Sequence, residues 1–269
     1  MREKEAIIAR HSVRNYKPDK IEEEKASLLQ QKIDELNAEG NLHLQFIEDS
    51  GKTYNKLLNR TMGLDSAPSV IACVGKDDDT LEERVGYYGE QLVLYAQSLG
   101  LNTCWAGIFS RKKIPVVVDP GEKIVISIAI GYGENQGQSH SSRPIDQISQ
   151  TVGERPEWFE KGVEMALLAP TAMNQQKFVI KLNEDETVEF IDKGGFFSKV
   201  DLGIVRYHFE VGSGRDFCRS RLKASYRAIW LPISLIQLKM LMKRHLFLKV
   251  LEIKLSVSSS NQLRNWLKT

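Results

Sequence analysis

Arg10, Ser12 and Arg14 stand on alternate positions of "RHSVRNY" (10–16). In an extended segment alternate residues point to one side, so two guanidiniums and a hydroxyl would face a single target. That combination suits an anion, above all a phosphate, and a solvated basic turn is the plain alternative. A second stretch, "APTAMNQQKF" (169–178), presents Thr171, Asn174 and Gln176 after Pro170. Amides donate and accept at once, which matches the edge of a heterocycle carrying adjacent C=O and N–H groups. Read alone, it is first of all a polar turn joining a helix to a strand.

The elements that would position these residues follow from periodicity. A short helical opening precedes Arg10. Asp19 followed by Glu22 has the form of a capping box, and Ile21, Leu28, Leu29, Ile33 and Leu36 recur at helical spacing up to Gly40. Strands are expected at 42–48 and 66–75. A helix begins near Arg84 and stops near Gly100, leading into an irregular segment with Trp105 and Gly107. "EKIVISIAIGYGE" (122–134) reads as a strand buried on both faces. After a polar linker, "SHSSRPIDQIS", come a helix broken at Pro170, the loop, a strand that pairs with "TVEFID" as a hairpin, and a last helix ending in glycine. Residues 92–100 and 204–212 align at an offset of 112, sharing a tyrosine, apolar positions and a terminal glycine. This hints at two related halves, although any buried helix ending in glycine carries such features.

The chain has 269 residues, 42% hydrophobic and 27% charged, with a net charge of +2. This is an ordinary globular composition that gives no reason to invoke nucleic acid. Cys73, Cys104 and Cys218 are far apart and odd in number, and no metal-ligand spacing occurs, so a reducing compartment without a disulfide framework or bound metal is expected. The charged start carries no apolar leader, which points to the cytoplasm. Cys104 beside Trp105 reads as a buried structural cysteine and His208 as a packing histidine. From Arg215 to Thr269 there are twelve basic residues against two acids, a net of +10, whereas residues 1–214 carry a net of −8. The apolar run from Ile229 to Leu255 is interrupted by charges and is no membrane span. This tail is read as a reading-frame shift or other non-native end, with a basic amphipathic segment for an anionic surface as the alternative.

"ARHSVRNY", "ALLAPTAMNQQKF", "GYYGEQLVLYAQSLGLNTCWAG" and "ISIAIGYGE" together resemble the FMN-dependent nitroreductase family over roughly residues 5–214. The loop arrives in the second half of the chain, which resembles the compact branch in which two half-length units are fused into a single-chain pseudo-dimer. The resemblance implies an α+β fold, a mainly antiparallel sheet flanked by helices, with half-units of about 1–135 and 150–214 and a monomeric chain. It implies FMN as cofactor and NADH or NADPH as donor. Transfer would be ping-pong through flavin N5 to a small-molecule acceptor: a nitroaromatic, a quinone or another flavin. Arg10, His11, Ser12 and Arg14 would hold the phosphate, ribityl chain and pyrimidine edge, with Arg14 stabilising the anionic reduced ring. Ala106, Gly107 and Ile108 would place backbone N–H groups near N5, Arg143 would close on the phosphate, and Pro170, Thr171 and Asn174 would approach from the other half. No side chain is expected to act as a general base. Lys177-Phe178 stands where the family has Pro-Trp. A non-catalytic flavin- or nucleotide-binding module, associated with a membrane surface through the tail, is the alternative.

Overall fold

The computed structural model describes residues 1–50, 53–54, 64 and 66–215. All but one residue of the basic tail, Cys218 included, and the reading of that tail lie outside the described residues.

β2 (Ser69–Lys76) and β4 (Glu122–Gly131) are the apolar runs seen in the sequence. They pair antiparallel at the centre of a four-stranded sheet ordered β1-β2-β4-β3, with short edge strands β1 (Gln45–Ile47) and β3 (Asn102–Ala106). Burial of both central strands on both faces explains why neither shows alternation. Three further strands, β5 (Ser149–Thr151), β6 (Phe178–Leu182) and β7 (Val188–Asp192), form a second sheet in that order. There β6 and β7 are the expected hairpin and β5 runs parallel to β6. All but one strand pairing is antiparallel, and the α+β class holds.

Among the described residues the helices are α1 (Glu3–Ala9), α2 (Glu23–Gly40), α3 (Leu81–Ser98), α4 (Ile145–Ile148), α5 (Glu157–Ala166) and α6 (Ser198–Ser213). α3 and α6 cross backbone to backbone. A Cβ on Gly86 would lie 2.0 Å from the Val200 carbonyl oxygen, and one on Gly203 would lie 2.1 Å from that of Glu83. Only residues without a side chain permit such an approach. α5 packs on the far side of α6, where Phe159, Phe190 and Trp158 meet the Phe209 ring edge-on.

Among the described residues the order helix–strand–strand–helix occurs twice, as α2-β1-β2-α3 and, with a 3₁₀ turn before its first strand, as α5-β6-β7-α6. The reciprocal contacts just described relate Gly86 to Gly203 and Glu83 to Val200, a spacing of 117, and α3 and α6 begin at Leu81 and Ser198, also 117 apart. The tyrosine–glycine match at 112 departs from this spacing, and its Gly212 lies inside α6, whose C-cap is Gly214.

Three local expectations are corrected. Residues 102–106 are an edge strand, not irregular: pairing with β4 from Asn102↔Gly131 to Ala106↔Ser127 overrides their weak local pattern. The "polar linker" contains α4 and the first residue of β5, a strand held by its pairing with β6. The capping box at Asp19 does not form. Helix α2 starts at Glu23 after Glu22, whose carboxylate accepts from the Tyr132 hydroxyl and pairs with Lys25 at 3.4 Å.

Candidate functional site

The segment after α1 is extended. Val13 N–H donates to the Thr103 carbonyl at 3.0 Å, Ser12 bridges Thr103, and Tyr16 bridges Gly133. Val13 and Tyr16 are thereby buried in the core. Arg10, Ser12 and Arg14 line a polar cavity of about 630 Å³ together with His11 and, across it, Pro170, Thr171 and Asn174. Some 160 positions of chain separate the two walls. Asn15, Asn135, Gln138 and His140 add further polar groups. Gly137, at φ 76°, passes so close that a Cβ there would lie 2.7 Å from that of His11. Desolvation first, then the Arg10 and His140 charges, lower the His11 pKa and favour its neutral form.

A second cavity of about 500 Å³ shares Ser12, Arg14, Pro170, Thr171 and Met173 with the first. Its other walls are mainly apolar: Trp105, Gly107, Ile108, Ile126, Phe196, Phe197, Val200 and Ile204, with Asp201 and Cys104. Gly107 and Ile108 line this cavity, whereas Ala106 is buried within β3, its carbonyl accepting from Ser127 Oγ at 3.0 Å. Burial pushes the Cys104 thiol up, which suits a structural cysteine.

The loop between the cavities is a 3₁₀ turn, Ala172–Asn174, with Met173, Asn174 and Gln176 all at positive φ (54°, 53° and 45°). Such backbone persists only where its surroundings hold it. On one side Gln176 Nε2 and Asn174 Nδ2 each donate to the Ser141 carbonyl at 2.9 Å, and Gln176 Oε1 accepts from Arg143 N–H at 2.8 Å. Arg143 lines neither cavity; its guanidinium donates to the Gln175 carbonyl at 3.1 Å and so buttresses the loop.

On the other side the Asp201 carboxylate accepts from Ala172 N–H (2.9 and 3.1 Å) and Gln175 Nε2 (2.7 Å). Burial is the main reason its pKa is raised to about 6, with the nearby Asp192 charge adding to it and the two donors opposing it. A folded-state pKa above the unfolded one means the native protein takes up the proton first. The stability contributed is complete below the unfolded value, near 3.8, and is lost as pH rises through about 6. Measured by denaturant unfolding, the stability of wild type relative to Asp201→Asn is therefore expected to fall by roughly 1–3 kcal/mol between pH 4 and 7. A difference that stays flat would show that Asp201 does not titrate there.

Beneath both cavities lies a buried polar cluster. Glu90 of α3 accepts from Trp105 Nε1 at 2.8 Å, faces His208 Nε2 at 2.9 Å, and pairs with Arg10 Nε at 3.6 Å. His208 Nδ1 faces the Met165 carbonyl at 3.1 Å, so the ring bridges α5 to Glu90 of α3. His208 thus has the packing role expected of it, and sequence reasoning missed Glu90. It missed Trp105, Phe196, Phe197 and Asp201 as cavity walls too, although the doublet "GGFF" (194–197) was a visible cue. Elsewhere, His43, Asp119 and Glu122 bring ligand-type atoms within 4.8 Å, but His43 Nδ1 and Asp119 N–H already bond Glu122 Oε2.

The chain is an α+β protein in which a polar and an apolar cavity share a wall, the kind of concave site that small molecules occupy. Residues 3–213 match the family described as "Putative TM nitroreductase", and the chain belongs to that family. It is similar to a "putative nitroreductase" structure from Thermotoga maritima, with 27% identity over 79% of this chain and 83% of that one, at a TM-score of 0.54. An "FMN-dependent Nitroreductase" from Clostridium difficile is 19% identical, covering 51% of this chain and 91% of its own, with a TM-score of 0.41. A "putative nitroreductase in complex with FMN" from Exiguobacterium sibiricum is 17% identical, covering 55% and 95%, with a TM-score of 0.45. No curated protein matches the chain. Among the described residues no helix is long and apolar enough to cross a membrane.

Proposed function

We propose that the protein is an FMN-dependent oxidoreductase of the nitroreductase type. NADH or NADPH would serve as donor, with a nitroaromatic, a quinone or a flavin as acceptor. The observation that carries this reading is the meeting of Arg10, Ser12, Arg14 and Asn174 on one cavity that continues into an apolar one. The residues fit the cofactor: two cavities with a shared wall provide for a polar tail and a flat ring, and Arg10 Nε is buried without a hydrogen-bond partner. FMN, when bound, supplies the two-electron chemistry. The chain's own residues bind and orient.

Arg10, His11 and Ser12 hold the phosphate and ribityl chain. Arg14, on both cavities, would hold the pyrimidine edge, where its positive charge suits negative charge on the ring. Asn174 reads a polar edge from the opposite wall, with Pro170 and Thr171 beside it. Gly107 and Ile108 would offer backbone to the ring from the wall of the apolar cavity, Gly107 lying against the Phe197 ring, while Ala106 and Arg143 act from behind the site. Donor and acceptor occupy the apolar cavity by turns. The two helix–strand–strand–helix sections act as half-units of about 1–135 and 150–214, so one chain works as a monomer. The free, buried Cys73 and Cys104 are in keeping with a cytoplasmic setting.

The test is FMN titration followed by reduction with NADH or NADPH. Arg14→Ala removes charge-assisted hydrogen bonds worth about 1.5–3 kcal/mol and is expected to weaken FMN binding at least tenfold and to slow reduction. Asp78→Ala should leave FMN affinity unchanged, because Asp78 pairs with Arg84 at 2.6 Å and caps Thr80, away from both cavities. A protein that takes up no FMN would sink the proposal. One that binds FMN but is never reduced would instead be the non-catalytic binding module.

A further inference from the structure

Arg10 lines the polar cavity, yet its side chain is only 3% exposed. The base of that side chain is fixed, because Arg10 caps α1 and its N–H donates to the Ala6 carbonyl at 2.9 Å. The opposite charge beside it is Glu90, and the pairing is made through Nε, 3.6 Å from Glu90 Oε1. At that distance the contact is an ion pair and not a hydrogen bond, so it depends on the carboxylate's charge. Nε lies on the stem side of the planar guanidinium. A carboxylate held there leaves the fork of two terminal NH₂ groups to the cavity, in the geometry that captures an anion bidentately.

Glu90 is itself held from two other elements. Its Oε2 accepts from Trp105 Nε1 of β3 at 2.8 Å, and its Oε1 meets His208 Nε2 of α6 at 2.9 Å. His208 is braced in turn against the Met165 carbonyl of α5. With both oxygens engaged, the carboxylate cannot swing after Arg10 and becomes a fixed reference for it.

Two roles for Glu90 carry opposite signs. A buried negative charge behind Arg10 lowers the positive potential of the cavity, so removal of a mere counter-charge would tighten an anion. Removal of the group that aims the fork would weaken one, since bidentate capture needs the fork in place. The tether to Trp105 and His208 favours the second role: aiming needs a rigid carboxylate, and balancing a charge does not.

We propose that Glu90 is a positioning residue for the anion site: held by Trp105 and His208, it grips Arg10 at Nε and aims the guanidinium fork into the polar cavity. That the anion is the phosphate of FMN rests on the reading under Proposed function; the aiming of Arg10 does not.

Fluorescence titration of the full chain can compare FMN with riboflavin, which lacks the phosphate. Glu90→Gln keeps the shape and an acceptor for the Trp105 N–H but removes the charge that holds Arg10. It is expected to weaken FMN about tenfold, the worth of one charge-assisted hydrogen bond, and riboflavin by less than about twofold. Arg10→Lys has neither Nε nor a fork; it should weaken FMN by a similar factor, and adding Glu90→Gln to it should cost nothing further. A merely structural Glu90 would lower both flavins together and act independently of Arg10. Tighter or unchanged FMN in Glu90→Gln, equal loss of both flavins, losses that add in the double variant, or a wild type that binds FMN no better than riboflavin would overturn the proposal. If the wild type takes up neither flavin, the flavin reading fails and inorganic phosphate decides the aiming. Weaker phosphate binding in Glu90→Gln then upholds it, and unchanged, tighter or absent phosphate binding overturns it.

Discussion

Gly203→Ala is expected to cost about 3 kcal/mol or more, beyond the usual range for one added methyl group in a packed interior. A helical Gly→Ala change is ordinarily favourable by about 1 kcal/mol, so the sign itself is diagnostic. The new Cβ would lie 2.1 Å from the Glu83 carbonyl oxygen and 2.7 Å from the Tyr87 nitrogen. Both are backbone atoms of α3, and no rotamer change can move them aside. Relief requires the two helices to separate, which loosens the packing along their whole contact. For a body of this size the loss corresponds to a fall in melting temperature of about 6–12 °C. A melting temperature that rises would mean the crossing is looser than described.

The second large effect falls on Glu90. Glu90→Leu removes the carboxylate that pairs with the Arg10 cation, accepts from the Trp105 indole N–H and meets His208 Nε2, at a place where Glu90 and His208 are fully buried and the Arg10 side chain is 3% exposed. Removing one partner from a buried charge cluster costs about 3–5 kcal/mol, because the remaining charge stays desolvated and unpaired. Denaturant unfolding of the variant should show a loss of that order, and Glu90→Gln a smaller one, since the amide oxygen can still accept from Trp105. A loss below about 1 kcal/mol for Glu90→Leu would show that water or another residue takes over.

The parts of the fold legible in the sequence were those fixed by local pattern. The apolar run of β4 and the amphipathic course of α3 declare themselves, and so does the β6–β7 hairpin. The alternation of Arg10, Ser12 and Arg14 was informative for the same reason: extended backbone alone makes them share a cavity. What was not legible depends on distant partners. β3 and β5 are strands because β4 and β6 pair with them, not because "NTCWA" or "SQT" alternate. Phe196, Phe197 and Asp201 become cavity walls only through the placement of α6 and the turn before it. Glu90 looked like any charge on a helix, and only the approach of His208, more than a hundred positions later, makes it a buried hub. Arg143 illustrates the converse: the resemblance directs it at a phosphate, and the structure turns it to the loop carrying Gln175 and Gln176.

The polar cavity has one wall from the start of the chain and the other from a loop some 160 positions later. A molecule lodged there touches both walls and has no comparable site on an unfolded chain. Its binding free energy is therefore added to the cohesion between those two stretches, by about 2.7 kcal/mol when the ligand is present at a hundred times its dissociation constant. Read this way, the ligand serves as a structural component of the protein, and retention of the ligand and resistance to unfolding are two measures of a single equilibrium.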